Sequence, residues 1–326
     1  MPYDVITIGS ATIDQFTDID SEFIQIQTPT TQERLIAFPL GTKLLIKELN
    51  FEVGGGGTNS AVAFARLGFH TAYLGKIGTD SNGDHIVREL AREHVDFIGP
   101  RAGVSGLSVI LNSFMHDRTI LTYKGASNEL QVDEVGALDA QWIYLSSMLG
   151  TSFTTVASVL SQGHHRIAFN PSTYQAEMGA AALKPLLDRV EILVMNYEEA
   201  CKFLGQRYET RPDIRDLFDE MAKLPPKIFA ITDGDAGTHT FDRRHYYRAL
   251  PTPDLQVVET TGAGDAFAST FTAALMLGEP LNTAIHLGMT NAESVLTGRG
   301  AKAQLLSRDA LYQAAGAIRR TIERVD

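Results

Sequence analysis

Short apolar runs alternate with helical repeats along most of this chain. Strand-length runs lie at Val5 to Gly9, Ala72 to Ile77, Trp142 to Ser146, Ile167 to Asn170, Ile192 to Asn196 and Ile228 to Thr232. Each is bounded by polar or small residues and is too short for a buried helix. Apolar positions at helical spacing follow around 58–67, 82–94, 152–162, 198–204 and 213–223, and the stretch from about 263 to 324 reads as nearly all helical. Strand and helix in alternation predict an α/β fold, a mostly parallel sheet covered by helices on both faces in three α/β/α layers. Two segments break the rhythm. Residues 16–53 hold no long helical repeat, and 107–123 reads as a hairpin, Leu107 to Phe114 and Thr119 to Tyr123 about a polar turn at His116-Asp117-Arg118. Both are expected to be β-rich insertions into one domain spanning 1–326. Together they predict a small β-sheet lid over the carboxyl ends of the strands, where open α/β sheets bind ligands.

Composition narrows the class of partner. The chain has 28 basic against 39 acidic residues, a net charge of −11 and no basic run, which argues against nucleic acid or an anionic membrane surface. Its start, Met1-Pro2-Tyr3-Asp4, lacks a charged leader region, and no stretch nears the ~20 apolar residues of a membrane span. A cytoplasmic location is the expectation. The single cysteine, Cys201, reads as a small buried hydrophobe rather than a metal ligand.

Candidate chemistry centres on Thr261-Gly262-Ala263-Gly264-Asp265-Ala266-Phe267. Ala266, Thr270, Phe271, Ala274 and Leu275 recur at helical spacing, so the glycines sit where a helix begins and Asp265 lies in its first turn. Amides at a helix start lack intrahelical partners, and the helix dipole adds partial positive charge. That places a carboxylate beside an anion site, an arrangement suited to phosphoryl transfer with Asp265 as base. The alternative is an acid that merely favours the helix dipole beside a tight turn.

Gly54-Gly55-Gly56-Gly57-Thr58-Asn59 precedes a second helix, through Val62, Ala65 and Leu67 to a C-terminal Gly68. Four glycines forfeit much backbone entropy, which suggests close approach of a ligand to the main chain. Asn59 adds an amide suited to sugar hydroxyls. The other reading is a flexible loop capped by Thr58 or Asn59. A dinucleotide fingerprint fails because Ser60 stands three residues after Gly57, and a P-loop fails because Gly75-Lys76 is followed by Ile77. Asp14, just past the first strand, can hold two neighbouring hydroxyls or cap a helix. Asn196-Tyr197-Glu198-Glu199 can help order hydrated magnesium or form an N-cap with first-turn acids. Thr232-Asp233-Gly234-Asp235-Ala236-Gly237 can line a nucleotide site or form a hairpin turn.

These residues, in this order, resemble the ribokinase-like (PfkB) family of sugar and nucleoside kinases. Gly54–Asn59 is similar to its first signature, and Glu259-Thr260-Thr261-Gly262-Ala263-Gly264-Asp265 to its second. The resemblance implies Asp265 as catalytic base and the amides of Gly262, Ala263 and Gly264 as an anion hole. It implies acceptor contacts from Asp14, Gly55 and Asn59, and magnesium and phosphate ordering through Asn196 and Glu199, the latter through water. Nucleotide is expected against Thr232, Gly234, Gly237 and the helical region near Asn291, with Gly298 and Gly300 in the adjoining turn. Two departures matter. Glu259 replaces the usual Asp, which leaves a monovalent cation beside the anion hole an option only, and Thr12 and Gly56 replace the Asn and Lys of ribokinases proper, which argues against taking ribose as the certain substrate.

The resulting expectation is an ATP- and Mg2+-dependent kinase acting on a hydroxyl of a small sugar or polyol. A homodimer through paired lids is implied by the resemblance. A nucleoside kinase on the same scaffold is the nearest rival, for which Phe16, Phe23, Phe38, Phe51 and Phe114 are candidate base clamps, although core or lid packing suits each. A non-catalytic ligand-binding regulator is the other rival, and the intact Gly-Ala-Gly-Asp argues against it.

Overall fold

A computed structural model describes the backbone of residues 1–19, 22–27, 32–112 and 118–325, and the side chains of 1–17, 38–111 and 119–325. In chain order the first elements are β1 (Tyr3–Ile8), β2 (Thr12–Ile19), β3 (Glu22–Gln27), β4 (Gln32–Ala37), β5 (Ile46–Gly54), α1 (Gly56–Arg66), β6 (Thr71–Leu74), α2 (Ser81–Arg92), β7 (Val95–Phe97), β8 (Gly106–Asn112) and β9 (Arg118–Tyr123). Then come β10 (Ala140–Leu145), α3 (Gly150–Gln162), β11 (Arg166–Phe169), α4 (Thr173–Leu187), β12 (Val190–Asn196), α5 (Tyr197–Phe203), α6 (Ile214–Met221) and β13 (Ile228–Thr232). The chain closes with β14 (Thr238–Phe241), β15 (Tyr246–Ala249), α7 (Ala263–Met276), α8 (Leu281–Leu296), α9 (Arg308–Ala317) and β16 (Ile322–Val325).

Ten strands form one sheet in the order β16-β15-β14-β13-β12-β11-β10-β1-β6-β7. From β7 to β13 every pairing is parallel, while β14, β15 and β16 add an antiparallel edge. Alternate side chains of each parallel strand enter opposite cores, as a period of two requires. Ile6, Ile8, Ile143, Leu145, Leu193 and Phe229 join Phe153, Phe203 and Phe218 on one face. Val5, Trp142, Tyr144, Ile192 and Val194 join Phe64, Phe267, Phe271 and Ile285 on the other. Each fully buried side chain of this kind contributes roughly 1.5–3 kcal/mol, so both helix layers are held by ordinary apolar packing. Cys201 lies within the first core.

The rhythm-breaking segments form a second, four-stranded sheet in the order β5-β2-β8-β9. It starts at Thr12 rather than residue 16, because pairing with Gly54 and Gly106 already begins there. Glu22–Gln27 and Gln32–Ala37 form a separate antiparallel pair, β3 with β4. Of the turn expected at His116-Asp117-Arg118, Arg118 already belongs to β9, while His116 and Asp117, the ring of Phe114 and the side chain of Phe23 lie outside the described residues. Register divides the four-stranded sheet chemically. Glu52, Asp14, Ser108 and Thr122 share one cross-strand row, and Phe51, Gln15, Val109 and Leu121 share the next, on the opposite face.

One expectation along the chain changes, and one helix had no counterpart in the spacing. The C-terminal third is not helical throughout, since Ile322–Val325 pairs with β15; alternation over four residues is too brief a signal beside a long helical region. Helix α4 was not legible from spacing, for Gly179 (φ 78°) kinks it and Pro185 sits inside it. Among the described residues, no helix is long and apolar enough to cross a membrane.

Candidate active site

The strand order turns at β1, with β10 on one side and β6 on the other. Beyond the carboxyl ends of β10 to β13 lies a cleft lined by Ser146, Ser147, Asn170, Ser172, Asn196, Glu199, Thr232, Gly264 and Asp265. This is where the connections of an open α/β sheet diverge and leave room for a ligand.

Helix α7 delivers Asp265 to that cleft. Its N-cap is Gly262 at φ 81°, a left-handed conformation in which a Cβ costs energy. First-turn amides at Ala263, Gly264 and Asp265 belong to the set a helix leaves without intrahelical acceptors; Ala263 N–H makes a long 3.5 Å contact with Thr260 O. Gly264 faces open space, a Cβ built there meeting nothing within 4 Å. An anion can therefore approach these amides along the dipole.

The glycine run fits against the same place. Helix α1 begins after Gly55, and neither Thr58 nor Asn59 caps it: Thr58 Oγ1 donates back to Gly54 O at 2.8 Å and to Gly55 O at 3.1 Å. Asn59 Nδ2 instead donates to Asp265 Oδ2 at 2.8 Å. A Cβ on Gly56 would sit 2.1 Å from Ser146 Oγ and 3.4 Å from Asp265 Oδ1, so the run is bare because the chain passes against the cleft wall.

Asp14 lies on β2, with no helix to cap. It accepts from Thr12 Oγ1 at 2.9 Å, and a Cβ on Gly54 would reach its Oδ2 at 1.9 Å. Burial pushes the Asp14 carboxyl above its ordinary range, opposed by hydrogen bonds from Thr12 and Ser108 and by the charges of Lys302 and Lys124. Asp265 is also raised, chiefly by desolvation and further by Asp14, against the Asn59 hydrogen bond and Lys302.

Asn196 and Glu199 form the N-cap of the second reading and also line the cleft. Asn196 Oδ1 accepts from Glu199 N–H at 2.8 Å and Glu199 Oε2 accepts from Asn196 N–H at 3.0 Å, a capping box whose side chains also wall the cleft. Burial, with help from Asp265 and Glu198, lifts the Glu199 carboxyl to about 7. Thr232 lines the cleft; Gly234 and Gly237 lie in the turn beyond it, between antiparallel β13 and β14. Asn291 is not brought to the cleft. Its side chain is fully buried, donating to Thr270 Oγ1 at 2.7 Å and accepting from Leu306 N–H at 3.0 Å, so it holds α8 against α7 and the following loop. Glu259 accepts from Gly300 N–H at 3.0 Å and thereby ties the 300 turn beside the start of α7.

Sequence reading missed Ser146, Ser147, Asn170 and Ser172, although a polar residue directly after the last apolar residue of a parallel strand is a usable signal. It also missed Lys302, which nothing local distinguishes.

The pfkB family of carbohydrate kinases matches residues 26–308 by its profile. The chain belongs to that family. Against curated proteins it is 25% identical over 307 residues to a ribokinase of Staphylococcus aureus, covering 92% of this chain and 96% of that one. It is 27% identical over 254 residues to a cytidine kinase of Thermococcus kodakarensis, covering 73% and 84%. Among solved structures, a ribokinase from Giardia lamblia superposes with a TM-score of 0.79 at 19% identity over 97% of this chain and 99% of that one, which shows the shared fold. As a pfkB member the chain is a carbohydrate-kinase-type phosphotransferase.

Proposed function

We propose that this pfkB enzyme transfers the γ-phosphoryl group of ATP to a hydroxyl of a small sugar or polyol, with Asp265 as base. The observation that carries the reading is the meeting, in one cleft, of Asp265, the open first-turn amides of α7 and the glycine run of α1. The acceptor hydroxyl gives its proton to Asp265 as its oxygen attacks, while the amides of Ala263 and Gly264 and the N-cap at Gly262 hold the charge of the transferred group. Asp14 holds acceptor hydroxyls. Asn59 orients the base as well, since its Nδ2 already faces Asp265. Nucleotide lies along Asn196 and Thr232 toward the Gly234–Gly237 turn.

Among the described residues no cluster of three or more His, Cys, Asp or Glu would hold a metal alone. Magnesium needs only one or two carboxylates plus phosphate and water, and Glu199 supplies one at the cleft wall, where the Asn196 N–H and the charge of Lys202 only partly offset its burial. When bound, the ion would draw negative charge from the phosphates. We assign the enzyme to the cytoplasm, where ATP is available.

ADP release measured against sugars, sugar acids and nucleosides tests the reading. Turnover on a sugar or polyol is expected. Turnover confined to nucleosides would favour the rival, for which Phe16 is the aromatic to examine: it lies two residues from Asp14 on the same face of β2, whereas Phe51 lies on the other face. No turnover on any acceptor would defeat both.

Asp14→Ala should weaken acceptor binding by about 1–3 kcal/mol, the cost of leaving buried polar partners unpaired, while kcat at saturation changes much less. Calorimetry with the identified acceptor checks this; unchanged affinity would place the acceptor elsewhere.

The four-stranded sheet serves as lid and dimer surface in this reading. Its Asp14 row is polar, while the opposite face exposes Phe51 at 53%, Leu121 at 57% and Tyr123 at 58%. An apolar face of that kind is covered by a partner more often than left in water, and a second copy supplies the matching face. Phe51→Glu combined with Leu121→Glu should convert a dimer to a monomer in light scattering. A wild-type protein already monomeric through a dilution series would end the idea.

A further inference from the structure

We propose that Lys302 is a positioning residue for phosphoryl transfer, its ammonium fixing the Asn59 amide in the orientation that donates to the Asp265 base. The proposal rests on Asp265 being that base. Lys302 is 7% exposed, yet among the described residues no carboxylate stands within ion-pair distance of it. Its Nζ donates to the Val53 carbonyl and approaches Asn59 Oδ1 at 3.5 Å. Burying an ammonium without an ion partner is costly, so the position calls for a reason beyond packing.

Donor chemistry supplies one. An ammonium has donors and no acceptor, so of the two ends of the Asn59 amide only Oδ1 can face it. Nδ2 is thereby turned toward Asp265, where it donates to Oδ2 at 2.8 Å. The flipped amide would set its NH2 against the ammonium and its oxygen against the carboxylate, losing both contacts.

The surroundings hold Lys302 in place. Arg66, at the end of the helix that carries Asn59, donates through Nη1 to Lys302 O at 2.8 Å and Leu305 O at 2.9 Å, while its other nitrogens bind Glu93 at 2.8 and 2.9 Å. One helix therefore positions both the amide and the loop bearing the lysine. The charged groups facing Lys302 are Glu89 of α2, Glu93 just past its end, Asp14 of β2 and Glu52 of β5. Those facing Asp265 are Lys302 and Asp14, with Glu199 of α5 and the Tyr144 hydroxyl of β10. Lys302 is thus the cation set against the acids on its side of the base, and its burial lowers its pKa to about 8.

Steady-state kinetics of Lys302→Met across pH, beside Asp265→Asn, tests the proposal. The expected result is a kcat lowered on the order of 10- to 100-fold, the scale of a small misplacement of reacting groups, with KM for ATP unmoved. The acid limb of kcat should move up by about one pH unit, because a nearby cation that favoured the ionised carboxylate is gone. In an Asn59→Ala background the same substitution should add little, since the two act in series. A kcat and acid limb like the wild type, or losses that simply multiply, overturn the proposal. If the methionine variant does not fold by circular dichroism, Lys302→Arg keeps the charge, and its acid limb should stay at the wild-type position; a shifted limb overturns the proposal there too. An active Asp265→Asn would remove the base reading and this proposal with it, whereas an inactive Asp265→Asn beside a wild-type-like Lys302→Met overturns this proposal alone.

Discussion

Asp265→Asn should lower kcat by about two to four decades, the range for losing a positioned general base, with little change in acceptor affinity. Asparagine keeps the size of the side chain and its place in the first turn of α7, and an amide oxygen can still accept the hydrogen bond that Asn59 Nδ2 makes to Asp265 at 2.8 Å. What it cannot do is take the proton of the attacking hydroxyl. The wild-type enzyme should also show an acid limb from this group. Desolvation raises the Asp265 carboxyl above its ordinary range, so the base is ionised above that raised value and activity falls as pH drops through it. Glu199, lifted to about 7, would contribute its own loss on the same side wherever nucleotide or metal does not hold it ionised. Single-turnover measurements on both proteins separate the two limbs, because the variant loses only the one belonging to Asp265. A variant with near wild-type turnover would take Asp265 out of the chemistry.

Much of this site was legible because its chemistry sits in contiguous residues. Glycines 262 and 264 with Asp265 announce a helix start bearing an acid, and the run at 54–57 announces close backbone approach; both describe what the chain does locally. The parallel sheet was legible for a similar reason, since strands buried on both faces read as unbroken apolar runs. Illegible features depend on partners distant in sequence. Asn59 read as an acceptor ligand or a cap, and only the packing of α1 against α7 shows its amide turned on Asp265. Lys302 stands 243 positions from Asn59, in a loop whose sequence looks like any other polar turn. Asn291 shows the converse, where order along the chain suggested a nucleotide contact and tertiary packing made it a tie between α7, α8 and Leu306. The antiparallel edge escaped because four-residue strands such as Ile322–Val325 take their identity from a neighbouring strand rather than from their own spacing.

Gly262→Ala should prove nearly as damaging as loss of the base, although it removes no reactive group. Gly262 holds φ at 81°, where an alanine costs roughly 1–2 kcal/mol, and its Cβ would come within 2.5 Å of Ala301 Cα and Cβ. Backbone cannot yield as a flexible side chain does, so the helix start, the 301 turn, or both must move. Either movement harms the transfer step. Shifting the start of α7 misaligns the amides meant to hold developing charge, a loss worth about 10²–10³ in kcat for one donor of an anion hole. Shifting Ala301 displaces its neighbour Lys302 and, through it, the Asn59 amide. Gly264→Ala is the informative partner, for its Cβ meets nothing within 4 Å and should leave the fold intact. Steric obstruction of the open cleft should then appear mainly as a raised KM for nucleotide. Thermal melts together with kcat and KM for both variants decide the matter. A Gly262→Ala enzyme with wild-type kcat would mean that the amides at this helix start do not bind the transferred group.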